Sequence, residues 1–315
     1  MSRENKKKRI LIELPTWLGD IVMTSPAIEN LRLEFAECNI DILGYNKNIE
    51  IYKNHPNVKD LFVVNKKYKD ILKFAFTNNK RYDFFISFRS SLRSNILKLF
   101  LLSKKKIKFN KSLYTKGHLV ERYNNFINQS LEINRSPGSL KIYHLKEPLE
   151  RLKPFICLNP GASYGSAKCW PPENFAKLAI KMSGHFDVVI VGSKNESNLS
   201  EIIESQIKTK IRNYQNLTGK TSITQLVNLI SQAAVFVTGD SGSMHISAAF
   251  DVPSINIFGP TKTDETRPWH ANKSIILKKE LNCSPCMKRE CPLGHNNCMK
   301  LVEVDEVISA INSII

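Results

Sequence analysis

The sequence predicts an α/β fold made of two Rossmann-like, doubly wound domains. Short apolar runs, bounded by glycine, proline and polar residues, alternate along the chain with segments of helical periodicity. This alternation is typical of a parallel sheet covered by helices. The length of 315 residues suits two domains that each bury their own core. No apolar run in the sequence approaches the roughly 18 residues that span a bilayer as a helix.

The chain is strongly basic, with 46 Lys and Arg against 29 Asp and Glu and a formal net charge of +17. Such a charge indicates a polyanionic partner, which is either nucleic acid or an anionic membrane or phosphorylated glycolipid. The sequence contains neither zinc-finger spacing of Cys and His nor the clustered aromatic residues of an RNA-recognition motif. Residues 6–12 imitate a signal peptide, but Glu13 and Pro15 end the apolar run and no cleavage site follows, so we expect a cytoplasmic protein.

The N-terminal half opens with an apolar run at 9–14, a glycine-containing turn and a helical pattern. The turn ends at Asp20, which stands at the helix entry, where the helix dipole keeps a carboxylate ionised. A simple N-cap role for Asp20 is the alternative. Pro26 predicts a kink or a late start of the helix. Similar patterns predict further strands at 40–43, 61–64, 82–87 and 106–109, and helices at 68–76 and 92–101.

A domain boundary is predicted in segment 134–153, which contains several Pro and Gly residues and lacks apolar periodicity. We therefore expect domains at 1–150 and 151–315, the second opening with a strand at 155–158. Ligands of doubly wound domains collect at the carboxyl ends of the strands. The polar residues that follow strands are therefore the candidate site residues.

Two loops of the second half follow predicted strands and carry such residues. The strand 155–158 leads into a loop that contains Ser163 and Lys168, and the strand 188–191 leads to Glu196. A lysine in a loop is usually just solvated, and a glutamate here is more often part of a first helical turn. The position of both after strands favours contacts with a ligand instead.

A third loop, Gly239-Asp240-Ser241-Gly242, lies between an apolar run at 235–237 and a helical pattern. The first backbone amides of that helix favour an anion such as a phosphate. Asp240 or Ser241 as a plain helix cap is the alternative. His245 follows Ser241 by four residues and so lies on the same face. Because a cap does not need that histidine, we predict an anion-binding turn.

The tail contains four cysteines, with His295 among them: Cys283, Cys286, Cys291 and Cys298. The first pair has the Cys-x-x-Cys spacing of zinc sites, but six residues rather than two separate the second pair. A structural metal, buried reduced thiols and an occasional disulfide remain the alternatives. Thiols without a metal are the preferred interpretation.

The segment 238–245, Thr-Gly-Asp-Ser-Gly-Ser-Met-His, is followed by Val-Pro at 252–253 and Phe-Gly-Pro-Thr at 258–261. Together with Trp-Leu-Gly-Asp at 17–20 and the cysteine-rich tail, it resembles glycosyltransferase family 9, the bacterial lipopolysaccharide heptosyltransferases, and most of all their heptosyltransferase II group. The resemblance covers essentially the whole chain. It implies a GT-B architecture, two Rossmann-like domains facing a cleft, with the acceptor on the N-terminal domain and the nucleotide sugar on the C-terminal one.

The resemblance implies inverting transfer of heptose from ADP-heptose to the heptosyl-Kdo-lipid A inner core at the cytoplasmic face of the inner membrane. It implies that Asp20 is the base that deprotonates the acceptor hydroxyl. On the donor side it implies contacts from the residues at matching positions: Ser163, Lys168, Glu196, Asp240, Ser241, Gly242 and His245. Cys169 stands where arginine is common in the family. The sequence has no Asp-x-Asp, so neither a metal nor a cofactor is expected.

Arg89 and Arg93 are the predicted acceptor-binding residues, because they follow a strand and their guanidinium groups suit carboxylates and phosphates. The lysines at 104–108 are more simply a solvated basic face. A sugar-nucleotide epimerase would share the fold but need no acceptor and no basic N-terminal domain. A nucleic-acid-binding protein would explain the charge but not three anion-binding loops. We therefore predict contact with the anionic inner membrane and none with nucleic acid.

Overall fold

The computed structural model of the protein describes residues 7–149 and 154–315. These residues form two compact units that divide between Tyr143 and His144. The division falls inside the segment 134–153, in which the sequence predicts a boundary. His144 and Glu147, just after the division, belong to the second unit, because the side chain of Asn228 in that unit binds both. Its Oδ1 lies 2.9 Å from His144 Nε2 and accepts from the backbone N of Glu147 at 3.0 Å.

The first unit is a five-stranded parallel sheet with the order β3-β2-β1-β4-β5. Its strands are β1 (Lys8–Glu13), β2 (Cys38–Gly44), β3 (Val58–Val63), β4 (Tyr82–Ser87) and β5 (Ser103–Lys108). Its helices are α1 (Leu18–Met23), α2 (Ser25–Glu34), α3 (Tyr68–Thr77), α4 (Leu92–Phe100) and α5 (Leu119–Leu131), with a 3₁₀ helix at Lys47–Tyr52.

The helical pattern after β1 is interrupted where the sequence predicts. Thr24 separates α1 from α2, and Pro26 lies in the first turn of α2. Proline is tolerated there because the first backbone amides of a helix have no intrahelical acceptor. The late start expected from Pro26 is confirmed, so Asp20 belongs to a short helix of its own.

The second unit is a six-stranded parallel sheet with the order β11-β10-β9-β6-β7-β8. Its strands are β6 (Phe155–Asn159), β7 (Asp187–Ile190), β8 (Tyr214–Asn216), β9 (Val235–Gly239), β10 (Ser254–Phe258) and β11 (Ser274–Lys278). Its helices are α6 (Pro172–Met182), α7 (Ser197–Ile207), α8 (Ile223–Ser231), α9 (Gly242–Ala249), α10 (Thr263–Thr266), α11 (Asn297–Lys300) and α12 (Val304–Asn312). Short 3₁₀ helices occur at Ser166–Lys168 and Lys194–Glu196.

The central strands β6 and β9 are buried along their whole length, which is why they read as continuous apolar runs. The tail returns to this core: Trp170 Nε1 donates to the carbonyl of Val302 at 2.8 Å, and Trp170 packs edge-on against Phe175. The predicted fold class, α/β with two Rossmann-like doubly wound domains, is confirmed. Within the described ranges, every helix is too short or too polar to cross a bilayer.

Each sheet has one point at which the order of the strands reverses. It lies between β1 and β4 in the first unit and between β6 and β9 in the second. Connections leave such neighbouring strands in opposite directions, so a crevice opens at their carboxyl ends, where doubly wound proteins bind ligands. Both crevices are bordered by residues singled out from the sequence.

Candidate functional site

In the first unit, Trp17 ends the loop between β1 and α1, and Asp20 follows in α1. Trp17 is the N-cap residue of α1 but makes no side-chain cap bond, and it is 48% exposed. Asp20 lies in the first turn of α1 rather than at its N-cap. A carboxylate in this position faces the positive end of the helix dipole, which favours its ionised form. The position leaves Asp20 suited to act as a base.

A buried carboxylate lies at the carboxyl end of β1. Glu13 is fully buried, and it accepts hydrogen bonds from Tyr45 Oη and Ser87 Oγ, both at 2.6 Å. Burial raises the pKa of Tyr45, and the neighbouring Glu13 charge raises it further, so this phenol stays a donor. The carboxylate thereby obtains the partners that a buried charge requires. The sequence analysis treated Glu13 only as the end of an apolar run.

Arg89, at the carboxyl end of β4, joins this cluster. Its Nε lies 3.6 Å from Glu13 Oε1, its Nη1 donates to Thr16 Oγ1 at 2.5 Å, and its Cζ lies 4.5 Å from the centroid of the Tyr45 ring. The Arg89 side chain is 13% exposed. It is therefore held firmly by its own unit, in contact with the loop that precedes α1, the helix of Asp20.

Arg93 is held more loosely, in the first turn of α4. Its Nε donates to the carbonyl of Lys66 at 2.8 Å, and its Cζ lies 5.3 Å from the centroid of the Tyr68 ring. Because the contacts go to a carbonyl and a ring, no carboxylate is among them. The guanidinium group keeps further donors for an anionic ligand.

The charges of Asp20, Arg89 and Arg93 affect the pKa values of two tyrosines, Tyr45 and Tyr123. The positive charges of Arg89 and Arg93 act to lower the pKa of Tyr45. Burial raises the pKa of Tyr123 well above its usual range, Asp20 raises it further, and Arg89 opposes the change. Arg89 and Arg93 therefore both lie near Tyr45, and Arg89 and Asp20 both lie near Tyr123.

In the second unit, Lys168 and Asp240 form an ion pair at the crevice between β6 and β9. Lys168 Nζ donates to Asp240 Oδ2 at 2.5 Å and to the backbone carbonyl of Asp240 at 3.2 Å. Their side chains are 12% and 6% exposed. Thr261 Oγ1 donates to the same carboxylate oxygen at 2.6 Å. Asp240 is thus engaged in holding Lys168 rather than in capping α9.

Ser241 is the N-cap of α9, and its Oγ accepts from the backbone N of Met244. Asn159 Nδ2, at the end of β6, lies 3.1 Å from Ser241 Oγ and 2.5 Å from Ser243 Oγ. These hydroxyl contacts fix the turn that delivers the first amides of the helix, beginning at Gly242. His245 lies one turn further on and is 2% exposed.

The remaining predicted donor residues lie on neighbouring loops. Glu196 Oε2 accepts from the backbone N of Ser193 at 2.5 Å, as expected of a first-turn acid. Its carboxylate also lies against the loop after β6, since a Cβ built on Gly161 would be 2.4 Å from Glu196 Cδ. Ser163 is exposed on that loop. Cys169 adds no charge there, because burial raises the pKa of its thiol.

Several residues of these clusters were missed by the sequence analysis. Asn159 and Glu13 are each the last residue of a central buried strand, which was an available signal. Thr261 belongs to the Phe-Gly-Pro-Thr motif, and its hydrogen bond to Asp240 shows that it orients that carboxylate. Tyr45 carried no signal, because its contact with Glu13 depends on how the strands pair.

No disulfide joins the cysteines of the tail, and all seven cysteines of the structure carry free thiols. Four of them line one small pocket with His295: Cys283, Cys286, Cys291 and Cys298. Burial raises the pKa of Cys298, and the three neighbouring thiols raise it further. Among the described residues, no three His, Cys, Asp or Glu side chains are arranged to hold a metal ion. A disulfide is not part of this structure.

Two doubly wound units, each with charged side chains at its crevice, place the protein in the class of α/β proteins that bind ligands at the carboxyl ends of their strands. The chain belongs to glycosyltransferase family 9 (heptosyltransferase), whose sequence profile matches residues 77–297. It is therefore a glycosyltransferase, which favours group transfer over the epimerase and nucleic-acid-binding alternatives.

Similar proteins extend over nearly the whole chain. Lipooligosaccharide heptosyltransferase 2 of Campylobacter jejuni is 38% identical over 308 residues, which cover 95% of this chain and 96% of that protein. The protein of the same name from Haemophilus influenzae is 26% identical, covering 85% and 88% of the two chains. The structure of Escherichia coli ADP-heptose LPS heptosyltransferase II superposes with a TM-score of 0.80 at 21% identity, covering 97% of this chain and 98% of that one. This likeness shows the common fold.

Proposed function

We propose that the protein is a heptosyltransferase II, which transfers heptose from ADP-heptose to the heptosyl-Kdo-lipid A inner core of lipopolysaccharide or lipooligosaccharide. The observation that carries this proposal is the 38% identity to a lipooligosaccharide heptosyltransferase 2 over 95% of the chain. The clusters at the two crevices support it, because one is suited to a nucleotide diphosphate and the other to a hydroxyl-bearing, anionic acceptor.

On the donor side, Lys168 is the main contact for the diphosphate. An ammonium group has three hydrogen-bond donors. Two of them point to Asp240 atoms, so one is left for a phosphate oxygen. Ser163 and the first amides of α9, from Ser241 and Gly242 onward, add further donors. They stabilise the negative charge that grows on ADP as it leaves.

The other donor-side residues bind the sugars. Glu196 accepts from the ribose hydroxyls, with the carboxylate oxygen that does not bond to Ser193. Asp240 fixes the Lys168 side chain, and Asp240 and His245 hold the sugar or diphosphate of the donor. Because Asp240 also accepts from Thr261, its orientation is set before the donor binds. No metal or cofactor takes part in this proposal.

Asp20 is the general base of the reaction. It removes the proton from the attacking acceptor hydroxyl, whose oxygen forms a bond to the anomeric carbon as the bond to the ADP oxygen breaks. Attack from the face opposite the leaving group inverts the anomeric configuration. General-base assistance of this kind contributes roughly a hundred- to ten-thousand-fold in rate. Arg89 and Arg93 bind the carboxylate or phosphate groups of the acceptor.

The reaction takes place at the cytoplasmic face of the inner membrane, where the acceptor lipid lies. A patch of exposed apolar side chains on the first unit supports this contact. We call it the α3–α4 patch; its members are Phe76, Leu99, Phe100 and Leu102, which are 40–71% exposed. Lysines at 73, 98 and 104–106 flank its members closely in sequence. Apolar side chains beside basic ones suit an anionic lipid surface.

The experiment that tests the function is an assay of purified protein with ADP-heptose and core acceptors of defined truncation. We expect ADP release together with a mass increase of one heptose on heptosyl-Kdo-lipid A. Transfer to an acceptor that lacks the first heptose would show a different heptosyltransferase. Isomerised ADP-heptose without transfer would instead show an epimerase.

A further inference from the structure

The cysteine-rich segment 283–298 lies against the loop that carries Lys168. The backbone N of Ala167 donates to the carbonyl of Arg289 at 3.0 Å, and Tyr164 Oη donates to the carbonyl of Met287 at 2.7 Å. A Cβ on Gly165 would lie 2.2 Å from that same Arg289 carbonyl oxygen, so only glycine allows this approach. The backbone of Arg289 is therefore fixed against the loop.

The same segment also binds the loop that orients Asp240. The backbone N of Met287 donates to the carbonyl of Pro260 at 2.8 Å, and Ser284 Oγ donates to the carbonyl of Gly259 at 2.6 Å. Thr261, which follows, bonds to Asp240. The segment thus joins the two loops that hold the Lys168–Asp240 pair. If it only covered the core, it would not need hydrogen bonds to both loops.

Two cations share the ring of Tyr164. Lys168 Nζ lies 4.6 Å from the ring centroid, and Arg289 Cζ lies 5.5 Å from it. Both distances are within the range of cation–π interactions. The charge of Lys168 is offset by Asp240. Arg289 is exposed, and within residues 7–149 and 154–315 no carboxylate forms an ion pair with it. Segment 283–298 therefore places an exposed positive charge, Arg289, beside the Lys168 loop.

We propose that Arg289 is a second cationic contact for the donor diphosphate, beside Lys168. The inference rests on the proposed function, since it takes the ligand of the Lys168 loop to be a nucleoside diphosphate. A diphosphate carries more negative charge than one lysine already paired with Asp240 balances. A planar guanidinium group can donate to two phosphate oxygens at once. The Tyr164 ring and the fixed backbone hold that group in place before the ligand arrives.

The test is calorimetric titration of ADP and of adenosine into the full-length protein and its variants. Arg289→Gln removes the charge and keeps an unbranched polar side chain with the first two methylene groups of arginine. We expect it to weaken ADP binding about tenfold, the scale of one hydrogen bond to a charged group, and to leave adenosine binding unchanged. Arg289→Lys should recover part of the ADP affinity. Lys288→Ala, which removes the same charge from the neighbouring exposed position, should bind ADP like the wild type.

Lys168→Ala separates the possible failures. If it weakens ADP binding while Arg289→Gln does not, Arg289 is no diphosphate contact and the proposed donor site stands. If neither variant changes ADP affinity, the donor site itself is wrong. An equal loss of ADP and adenosine affinity in Arg289→Gln would show that Arg289 only shapes the loop, and would overturn the inference. Thermal unfolding of each variant checks that the protein is folded.

Discussion

Asp20 is distinguished at the residue scale by its place in the first turn of α1, beside the Thr16 contact of Arg89. Asp20→Asn keeps the size of the side chain and removes the base. We expect turnover to fall by roughly a hundred-fold or more, because the base acts in the transition state. Donor affinity should hardly change. The measurements are steady-state turnover and ADP-heptose titration, and near-normal turnover would contradict the assignment.

Lys168 is expected to act in binding rather than in proton transfer. Lys168→Ala should weaken ADP binding by about 1.5–3 kcal/mol, the usual scale for a hydrogen bond to a charged group. It also leaves the Asp240 carboxylate without its cation, which adds repulsion toward a phosphate. Calorimetry with ADP measures the effect. Lys177→Ala, an exposed position on α6, is the control, and equal affinities of the two variants would remove Lys168 from the site.

The sequence could identify residues whose chemistry is local. Lys168, Asp240 and Ser241 follow strands at turns, so their positions predict a crevice without knowledge of the partners. The position of Glu13 at the end of a strand was visible in the sequence, but its contacts were not, because Tyr45 comes from the loop after β2 and Ser87 from the end of β4. Pairing between distant parts of the chain is a property of the assembled sheet.

At the scale of elements, α2 is tied to the rest of its unit by Glu29. The carboxylate of Glu29 contacts Arg32 Nε at 2.9 Å, His55 Nε2 at 3.0 Å and Tyr143 Oη at 3.1 Å. Burial acts to raise the pKa of Glu29, but the hydrogen bonds from His55 and Arg32 outweigh it and lower the pKa below its usual 4.5. A lowered pKa means that the ionised carboxylate stabilises the folded state.

Glu29→Gln should therefore reduce the free energy of unfolding at pH 7 by about 1–3 kcal/mol, since charged hydrogen bonds are lost. The stabilisation by Glu29 is present above the unfolded pKa and disappears as the pH falls through the folded pKa. The difference between variant and wild type should shrink from pH 7 toward pH 3. Urea unfolding across this range measures it. Glu37→Gln is the control and should have little effect, because the ion pair of Glu37 with Lys7 is exposed. A loss of stability in Glu29→Gln that does not change with pH would contradict the proposed role of the Glu29 charge.

The strands that the sequence predicted well are the central ones, and the difficult strands lie at the sheet edges. The predictions 61–64 and 106–109 start later than β3 (Val58–Val63) and β5 (Ser103–Lys108), whose first halves contain charged residues directly after Val58 and Ser103. No strand was predicted for β8 or β11, the two edges of the second sheet. Edge strands are commonly short or charged, which limits unwanted pairing. The apolar pattern that identifies a buried strand is therefore weakest there.

At the scale of the whole molecule, the charge of +17 has two components with different expected roles. Arg89 and Arg93 gather at the crevice of the first unit, where a planar group binds a carboxylate or phosphate locally. The lysines at 104–106 lie on the edge strand β5, just after the α3–α4 patch. Lys104 pairs with Asp83, and both Lys104 and Lys105 are exposed. These lysines are placed to act through the field of a surface rather than through one ligand.

If this surface meets an anionic membrane, the protein should bind anionic vesicles more tightly than neutral ones. Each basic residue near the lipid contributes about 1 kcal/mol, and added salt should weaken the binding as it shortens the Debye length. Changing residues 104–106 to Gln should weaken vesicle binding and leave kinetics in detergent unchanged. The same change at Lys208, Lys210 and Arg212 of the second unit is the matched control.

Arg89→Ala or Arg93→Ala should instead raise the acceptor KM in detergent, because their contact with the acceptor needs no membrane field. Normal acceptor kinetics in the arginine variants, together with tighter binding of the wild type to duplex DNA than to anionic vesicles, would contradict the glycolipid interpretation of the charge.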